Sequence, residues 1–464
     1  MNVRLRFLGG AQTVTGSRYL LEIDDFKILI DCGMFQGLKE LRLKNWASFP
    51  IDPKSIDAVI LTHAHIDHTG YLPKLFKEGY RGTVYCTSAT RELTEIMLLD
   101  SAKLQEEEAE YAFKKGYSKH EKPLPLYTTE DANFTFSYLR GYQYNEYIEV
   151  HPKIKIRFHD AGHILGSAIT EIFVQGDKMS KKIVFSGDIG KYNKPILRNP
   201  SVIKEADILL IESTYGNKET PSVKEAYENF ADIILKSIER KGCLLIPAFA
   251  VGRTQTLLYY IKQLIDQRKV PRVPVFVDSP MGISVTSLFK RHNNFHTITN
   301  GGSDDIFDFD GLHYYRNQSE SVAINNIKNG AIIISSSGMC NGGRILHHLY
   351  HRLSRPNDTL LFVGYQSEGT RGRRLLDGEP SIRIFGEEVQ VKCHLEQISG
   401  LSAHADRAEL FKWLANFKSA PKMTFIVHGE PEVSKQFSHA IQNKLGWNST
   451  VPNYMEAFEL FKGI

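Results

Sequence analysis

Apolar residues follow one another along this chain in two different rhythms. Up to about residue 214 they form short runs closed by glycine or a polar turn: VRLRFLGG, SRYLLEI, FKILIDCG and IDAVILTH, then KIKIRFHDAGHILGSAITEIFV, KKIVFSGDIG and ADILLIESTYG. Runs of this length, rich in Val, Ile, Leu and Phe, predict β-strands, and the first four predict a sheet that begins as a meander. One stretch breaks the rhythm. Thr90 to Gly116 is charged, with Leu93, Ile96 and Met97 on one side, and predicts a long helix whose Glu106, Glu107 and Glu108 face solvent. A connector follows at Pro123 and Pro125.

Beyond Tyr215 helical segments such as VKEAYENFADIILKSIERKG and RTQTLLYYIKQLIDQ alternate with the apolar strands CLLIPAF, VPVFVDSP, AIIISSSG and TLLFVGY, a signature of parallel α/β layering. HLEQISGLSAHAD and KMTFIVHGEPE then return to strands followed by histidine-bearing turns. The expected architecture is α/β: a first domain of residues 1–214, completed by 395–464, with an inserted α/β domain, a parallel sheet flanked by helices, over 215–394. A length of 464 residues fits such a division at about 150 residues per domain.

Composition changes this picture little. A formal charge of +4 is too weak an excess to announce a nucleic-acid binder, so the partner must be read from a site. Five cysteines lie far apart without a CxxC pair and read as reduced and mostly buried. The N-terminus reads as a strand with a Gly-Gly turn, not a signal peptide, and no apolar stretch reaches the roughly 18 residues of a membrane span. A cytoplasmic location with no membrane partner is expected.

The chemistry concentrates in LTHAHIDHTG, residues 61–70. Helical zinc sites space their histidines four apart, whereas His63 and His65 are two apart, so the segment is expected to be a strand, Asp57 to Thr62, running into a tight loop. Gly70 and Pro73 suit a turn into a helix packed by Leu72, Leu75 and Phe76. Imidazoles and a carboxylate crowded without a cation would repel one another when protonated and lack partners when buried, which favours a metal site. Further ligand candidates end apolar strands elsewhere: Asp31 after KILI, His163 after FHDAG, Asp188 after VFSG and His428 after FIV. Each alone reads as a turn residue; their recurrence points to one cleft. His292, His296, His347 and His348 are expected to pack or face solvent.

THAHIDHTG, AGHILGSA, FSGDIG, LLIESTYG, PAFAVGRTQ, SSSGMCNGGR, GYQSEGTRGR, SAHAD and IVHGEPE, in this order, resemble the metallo-β-lactamase-fold nucleic-acid hydrolases that carry a β-CASP domain. The likeness is strongest to the ribonuclease branch that includes the endonuclease subunit of the eukaryotic messenger-RNA 3′-end cleavage machinery and its prokaryotic relatives. It implies an αββα sandwich and two zinc ions, one held by His63, His65 and His163, the other by Asp67, His68 and His428, with Asp188 bridging. Asp31 would support the site, and Glu212 with His404 would form an acid pair beside the scissile bond, so that Asp31, Asp67, Glu212 and His404 carry the catalysis. His428 favours RNA, since DNA-repair relatives usually lack it. Single-stranded RNA is thus the expected partner, hydrolysed endonucleolytically or with 5′-to-3′ trimming. Backbone N–H groups of residues 335–344, around Ser336 and Ser337, are candidates to cradle phosphate, with a structural turn as the alternative. Arg253, Arg344, Arg371, Arg373 and Arg374 are candidates for a basic channel between the domains, with solvated arginines as the alternative. A homodimer is compatible with these readings. No extra RNA-binding module is evident, so specificity is expected to draw on RNA-processing partner proteins. The rivals are a small-molecule or DNA-directed hydrolase and a non-cleaving RNA-binding subunit; the complete ligand set opposes the last.

Overall fold

A computed structural model describes residues 1–115, 123–177, 179–298 and 306–464. They divide into two compact units, the first made of 1–192, 198–219 and 404–464, the second of 193–197 and 220–403. The long helix runs Ser88–Lys115, two residues earlier than expected at its start, and Gly116 lies outside the described residues.

In the first unit two seven-stranded sheets carry the core. One is ordered Ala457–Phe461, Val3–Phe7, Tyr19–Ile23, Phe26–Ile30, Ala58–Ile60, Thr83–Thr87, Leu139–Tyr142; the other Ser449–Thr450, Met423–Val427, Ile208–Glu212, Ser180–Phe185, Ala168–Gln175, Ile154–Asp160, Tyr147–His151. Side chains alternate across each strand, so both faces are used. Leu21, Ile28, Ile30 and Ile60 meet Ile156, Phe158, Ile172, Ile183 and Phe185 between the sheets. Their neighbours Leu20, Leu29 and Val59 point outward to Leu72, Leu75, Phe76 and Leu98 of the covering helices. On the other side Val184, Leu209, Ile211 and Ile426 pack on Leu410, Trp413, Phe437 and Ile441 of the helices Arg407–Leu414 and Pro431–Leu445. The result is an αββα sandwich.

Each sheet is antiparallel at one end and parallel at the other. Phe26–Ile30, Ala58–Ile60, Thr83–Thr87 and Leu139–Tyr142 run parallel, as do Ser180–Phe185, Ile208–Glu212, Met423–Val427 and Ser449–Thr450. Parallel strands end at a common edge, so the polar residues that follow them gather there.

The second unit holds a fully parallel six-stranded sheet, ordered Leu312–Tyr314, Val275–Asp278, Ile332–Ser335, Leu244–Pro247, Thr359–Phe362, His394–Gln397. The last strand pairs with Thr359–Phe362, so this sheet continues past the expected boundary at 394/395 and the chain returns to the first unit at His404. Ile332–Ser335 and Leu244–Pro247 are neighbours whose chains leave toward opposite edges of the sheet, the arrangement that opens a crevice at strand C-termini in open α/β sheets. Four of the cysteines are buried and the fifth, Cys393, is half-buried; burial pushes the Cys32 thiol up to about 12. No described helix is long and apolar enough to cross a membrane.

Candidate metal centre

The parallel edge of the first unit brings its strand-end residues together. Asp31 follows Phe26–Ile30 and His428 follows Met423–Val427, both with left-handed backbones, φ 57° and 50°. Strained non-glycine positions of this kind persist where surrounding contacts fix them. Here Asp31 N–H donates to the Ile60 carbonyl at 2.8 Å and His428 N–H to the Gly10 carbonyl at 2.7 Å. His63 and His65 lie on the turn after Ala58–Ile60, and a single helical turn, Ile66–Thr69, follows where a plain loop was expected. That turn carries Asp67 and swings His68 inward, which resolves the phase break in the sequence pattern.

Donor atoms fall into overlapping groups in which every atom lies within 4.8 Å of the others: His63, His65, His163 and Asp188; Asp67, His68 and His428; Asp188, Glu212 and His404. Asp188 joins the first two. Its Oδ2 faces His63 Nε2 at 3.4 Å and His163 Nε2 at 3.5 Å, while Oδ1 faces His68 Nε2 and His428 Nδ1, each at 3.4 Å.

Three hydroxyl and carboxylate contacts assign a proton to Nδ1 of three rings. His68 Nδ1–H donates to Asp31 Oδ2 at 2.7 Å. The Thr62 hydroxyl donates to the same oxygen at 2.8 Å and therefore accepts from His63 Nδ1–H at 3.1 Å. The Thr214 hydroxyl donates to the His428 carbonyl at 3.2 Å and accepts from His428 Nδ1–H at 3.1 Å. In the neutral ring Nε2 of His63 and of His428 is then the lone pair, and Nε2 of His68 becomes one when a cation displaces its proton.

The ring nitrogens of the cluster face one another. His68 Nε2 and His428 Nε2 are 3.3 Å apart, His63 Nε2 and His65 Nδ1 3.1 Å, His163 Nε2 and His65 Nδ1 3.3 Å. An ion bound tetrahedrally at about 2.0–2.1 Å separates its nitrogen ligands by about 3.3 Å, so the spacing fits a metal. Asp188 Oδ1, buried and without a hydrogen-bond donor among the described residues, adds an anionic ligand atom. The centre is a metal site.

Electrostatics agree with a cation-demanding cluster. Burial lowers the proton affinity of His63 and His163, and His65 is driven down to about 3 by burial and by the His63 ring. Burial opposes protonation of His68 as well, yet the carboxylates of Asp188, Asp31 and Asp67 outweigh it and push it up to about 10. Asp67 and His404 are 19% and 16% exposed, against 4% or less for His63, His68, Asp188 and His428, so the cluster opens at that pole.

At the open pole His404 Nδ1–H donates to Glu212, with Oε1 at 3.1 Å and Oε2 at 3.2 Å. Glu212 is fully buried and also accepts from Ile189 N–H at 2.7 Å and Thr214 N–H at 3.3 Å. Burial disfavours the His404 cation, but Glu212 and Asp188 raise its proton affinity above that of a free imidazole.

The chain's structure therefore gathers Asp31, His63, His65, Asp67, His68, His163, Asp188, Glu212, His404 and His428. The remaining candidates lie in the second unit. Ser337 Oγ accepts from the N–H groups of Asn341 and Gly342, Ser336 Oγ meets Ser279 Oγ at 2.9 Å, and Arg371, which opens the helix Arg371–Leu376, reaches this loop at the Asn341 carbonyl at 3.0 Å. Arg253, buried, opens the helix Arg253–Asp266. Arg344 is committed inward: it donates to Asp278 Oδ1 at 2.6 Å and to the carbonyls of Tyr315 and Arg316. Arg373 and Arg374 pair with Asp377 and Glu379. His348 is also bound to Asp278, and His347 packs at a tilt against Phe385. Sequence reading missed Thr62 and Thr214. Threonine at a strand end is ordinary, and only the fold shows that these two hydroxyls hold metal-facing rings.

Family models match three segments: a metallo-beta-lactamase superfamily domain over 20–213, a Beta-Casp domain over 254–375 and a Zn-dependent metallo-hydrolase RNA specificity domain over 388–452. The chain is 38% identical over 437 residues to Ribonuclease TTHA0252 of Thermus thermophilus, covering 93% of this chain and 94% of that protein. It is 33% identical over 461 residues to the transcription termination factor FttA of Methanosarcina mazei, covering 96% and 69%, and 30% identical over 476 residues to FttA of Methanocaldococcus jannaschii, covering 99% and 72%. A crystal structure of a protein of unknown function from Enterococcus faecalis V583 superposes with a TM-score of 0.55 at 14% identity, over 99% of this chain and 100% of that one, a likeness of fold alone.

Proposed function

The chain belongs to the metallo-β-lactamase-fold β-CASP ribonuclease family, and from that premise we propose that it is a zinc-dependent ribonuclease that hydrolyses phosphodiester bonds of single-stranded RNA, with two ions per chain. The observation that carries the reading is Asp188, whose Oδ2 faces Nε2 of His63 and His163 while its Oδ1 faces Nε2 of His68, the nitrogen that meets His428 Nε2 at 3.3 Å. His63 Nε2, His65 Nδ1, His163 Nε2 and Asp188 Oδ2 would hold one ion, and Asp67, His68 Nε2, His428 Nε2 and Asp188 Oδ1 the other. When bound, zinc supplies Lewis acidity, which ionises water near neutral pH and screens an anionic phosphodiester.

The protein's own groups do the rest. Asp31 and Thr62 hold the Nδ1–H groups of His68 and His63, and Thr214 that of His428, so a bound cation would meet Nε2 in all three rings, displacing the second proton that the carboxylates hold on His68. Glu212 holds the Nδ1–H of His404 and favours its cationic form. Nε2–H is then available to protonate the departing oxygen, a contribution of about 10²- to 10⁴-fold. In the second unit the loop of Ser336 and Ser337 uses the N–H groups of Ser337, Cys340, Asn341 and Gly342 within itself, so phosphate contacts there fall to the charge of Arg253 and Arg371. Because three of the expected channel arginines are already bound to carboxylates, the phosphate contacts reduce to a smaller set.

Purified protein incubated with end-labelled single-stranded RNA, with and without chelator, tests this reading. Internal cleavage products are expected from RNA in the metal-loaded protein, fewer from matched DNA, and none after chelation. Preferential DNA cleavage, or binding without cleavage in a metal-replete preparation, contradicts it. Cytoplasmic residence and a role in RNA processing or decay accompany the proposal.

A further inference from the structure

On the flank of the metal cluster the first unit exposes a set of large side chains interleaved with cations. Leu43 and Trp46 are 56% and 55% exposed, and Tyr454 and Met455 about 40%. Lys44 joins the two segments: its Nζ lies 3.8 Å from the Tyr454 ring centroid and 5.4 Å from that of Phe35. Lys39 and Arg42 are exposed on the same short helical stretch, against one carboxylate, Glu40.

This surface is bolted to the cluster. Gln12 donates to Asn453 Oδ1 at 2.8 Å, while two residues away the Gly10 carbonyl accepts from His428 N–H. Ser17, on the same loop, donates through its N–H to the Asp67 carbonyl at 2.8 Å, and Met34 N–H donates to the Ile66 carbonyl. Beneath it lies a fully buried cation. Arg18 donates to the Gly33 carbonyl at 2.7 Å and to Asn45 Oδ1, and is enclosed by Tyr71, Phe35 and Phe49 at 4.0, 5.0 and 5.6 Å. Asn45 in turn accepts from Phe35 N–H and donates to the Phe35 carbonyl. Buried guanidinium groups are rare because desolvation is costly, and here burial lowers the Arg18 proton affinity. What the arrangement secures is the position of Phe35 and residues 44–46 relative to the turn that carries Asp67 and His68.

We propose that this surface is a stacking platform for unpaired nucleotides of the RNA substrate, with Trp46 and Tyr454 receiving bases and Lys39, Arg42 and Lys44 meeting phosphates. The proposal rests on the ribonuclease reading above and gives the metal-bearing unit its own grip on the strand beside the scissile bond. Sequence-tolerant grooves for single strands combine aromatic faces with basic side chains in this way, and a stacked base contributes about 1–3 kcal/mol. A second copy of the chain is the less suited occupant, since it would set like charges against like, whereas phosphates neutralise them.

The chain has three tryptophans, and Trp413 and Trp447 are buried, so binding at Trp46 has its own optical signal. Full-length, metal-loaded protein carrying His404→Ala is titrated with single-stranded RNA, with a base-free ribose-phosphate oligomer of equal length as control. Quenching of tryptophan fluorescence by RNA and not by the base-free oligomer is expected. Trp46→Ala should remove the quenching and weaken RNA binding at least about fivefold, with metal content unchanged, and Trp46→Phe should restore most of the affinity. Unchanged RNA affinity in Trp46→Ala and in Tyr454→Ala, in a protein that cuts RNA, overturns the platform alone. Failure of the otherwise unaltered protein to bind or cut RNA removes the substrate reading and the platform with it. Quenching that follows protein concentration, with a dimer in sedimentation, assigns the surface to a second copy and also overturns the proposal.

Discussion

Asp31→Asn is the sharpest perturbation of the metal centre, because it keeps the shape and tolerates the left-handed backbone at this position while removing one acceptor. Asp31 accepts three buried hydrogen bonds: Oδ2 from His68 Nδ1 at 2.7 Å and from the Thr62 hydroxyl at 2.8 Å, Oδ1 from Thr62 N–H at 2.8 Å. An asparagine has one oxygen. If it serves Thr62 N–H, its amide N–H groups confront the His68 N–H; if it turns over, they confront Thr62 N–H. Turned the first way, His68 moves its proton to Nε2, which faces Asp188 and His428 and is the atom a metal needs. Losing one hydrogen bond to a charged group costs about 2 kcal/mol, which is about 30-fold in affinity and within the 10- to 100-fold typical of groups that orient metal ligands. The loss should concentrate on the ion proposed for Asp67, His68 and His428. His63 is affected less, since its contact runs through the Thr62 hydroxyl, which can rotate. Competition with a fluorescent chelator, with metal counted by mass spectrometry, reads the two ions as two steps. The expected result is one step shifted by about 30-fold and the other by a few-fold at most. Two steps within about twofold of the unaltered protein, or the larger shift on the His63 side, would refute the tautomer argument.

Other outcomes follow from the same geometry. Thr214→Val leaves the buried His428 N–H without its hydroxyl acceptor and should weaken metal binding about tenfold, with Thr214→Ser close to normal, in the same competition assay. His404→Ala should keep its metals and lose about 10²- to 10⁴-fold in kcat on RNA; unchanged turnover would remove His404 from the mechanism. Away from the site, burial would raise the Glu171 carboxyl, but donors from His159, Arg157 and Lys182 bring it down to about 2. A depressed carboxyl contributes stability that is present above about pH 4.5 and lost as pH falls toward 2. The drop corresponds to about 3 kcal/mol at most, and partly exposed partners reduce it to about 1–2. Glu171→Gln should therefore lower stability by that amount at pH 7, with the gap from the unaltered protein closing below pH 4 in metal-free denaturant titrations.

The sandwich and the residues it clusters were legible because both depend on local pattern. Apolar runs such as KILI and FIV mark strands, and polar groups gather in the turns after buried strands, so Asp31, Asp188 and His428, after strands with a parallel neighbour, and His163, after an antiparallel one, could be picked out. The single helical turn at Ile66–Thr69 could not, since four residues carry too little periodicity to register. HLEQ read like the strands of the first domain because a short strand does not declare its neighbour; only pairing with Thr359–Phe362 assigns it to the second unit. Arg344 reads as a channel cation in sequence, but Asp278, Tyr315 and Arg316, far from it in the chain, accept from its guanidinium. Thr62 and Thr214 were hidden for the same reason: their role lies in what a distant strand presents to them.

The central claim is a paired metal centre that powers RNA cleavage, and stoichiometric reconstitution tests it most directly. Metal-stripped protein receives zinc in measured fractions of an equivalent while RNA cleavage and bound metal are followed on the same sample. Cleavage should rise to its plateau at two bound ions per chain. Full cleavage in protein shown by mass spectrometry to hold no transition metal, or a plateau reached at a single ion, would contradict it.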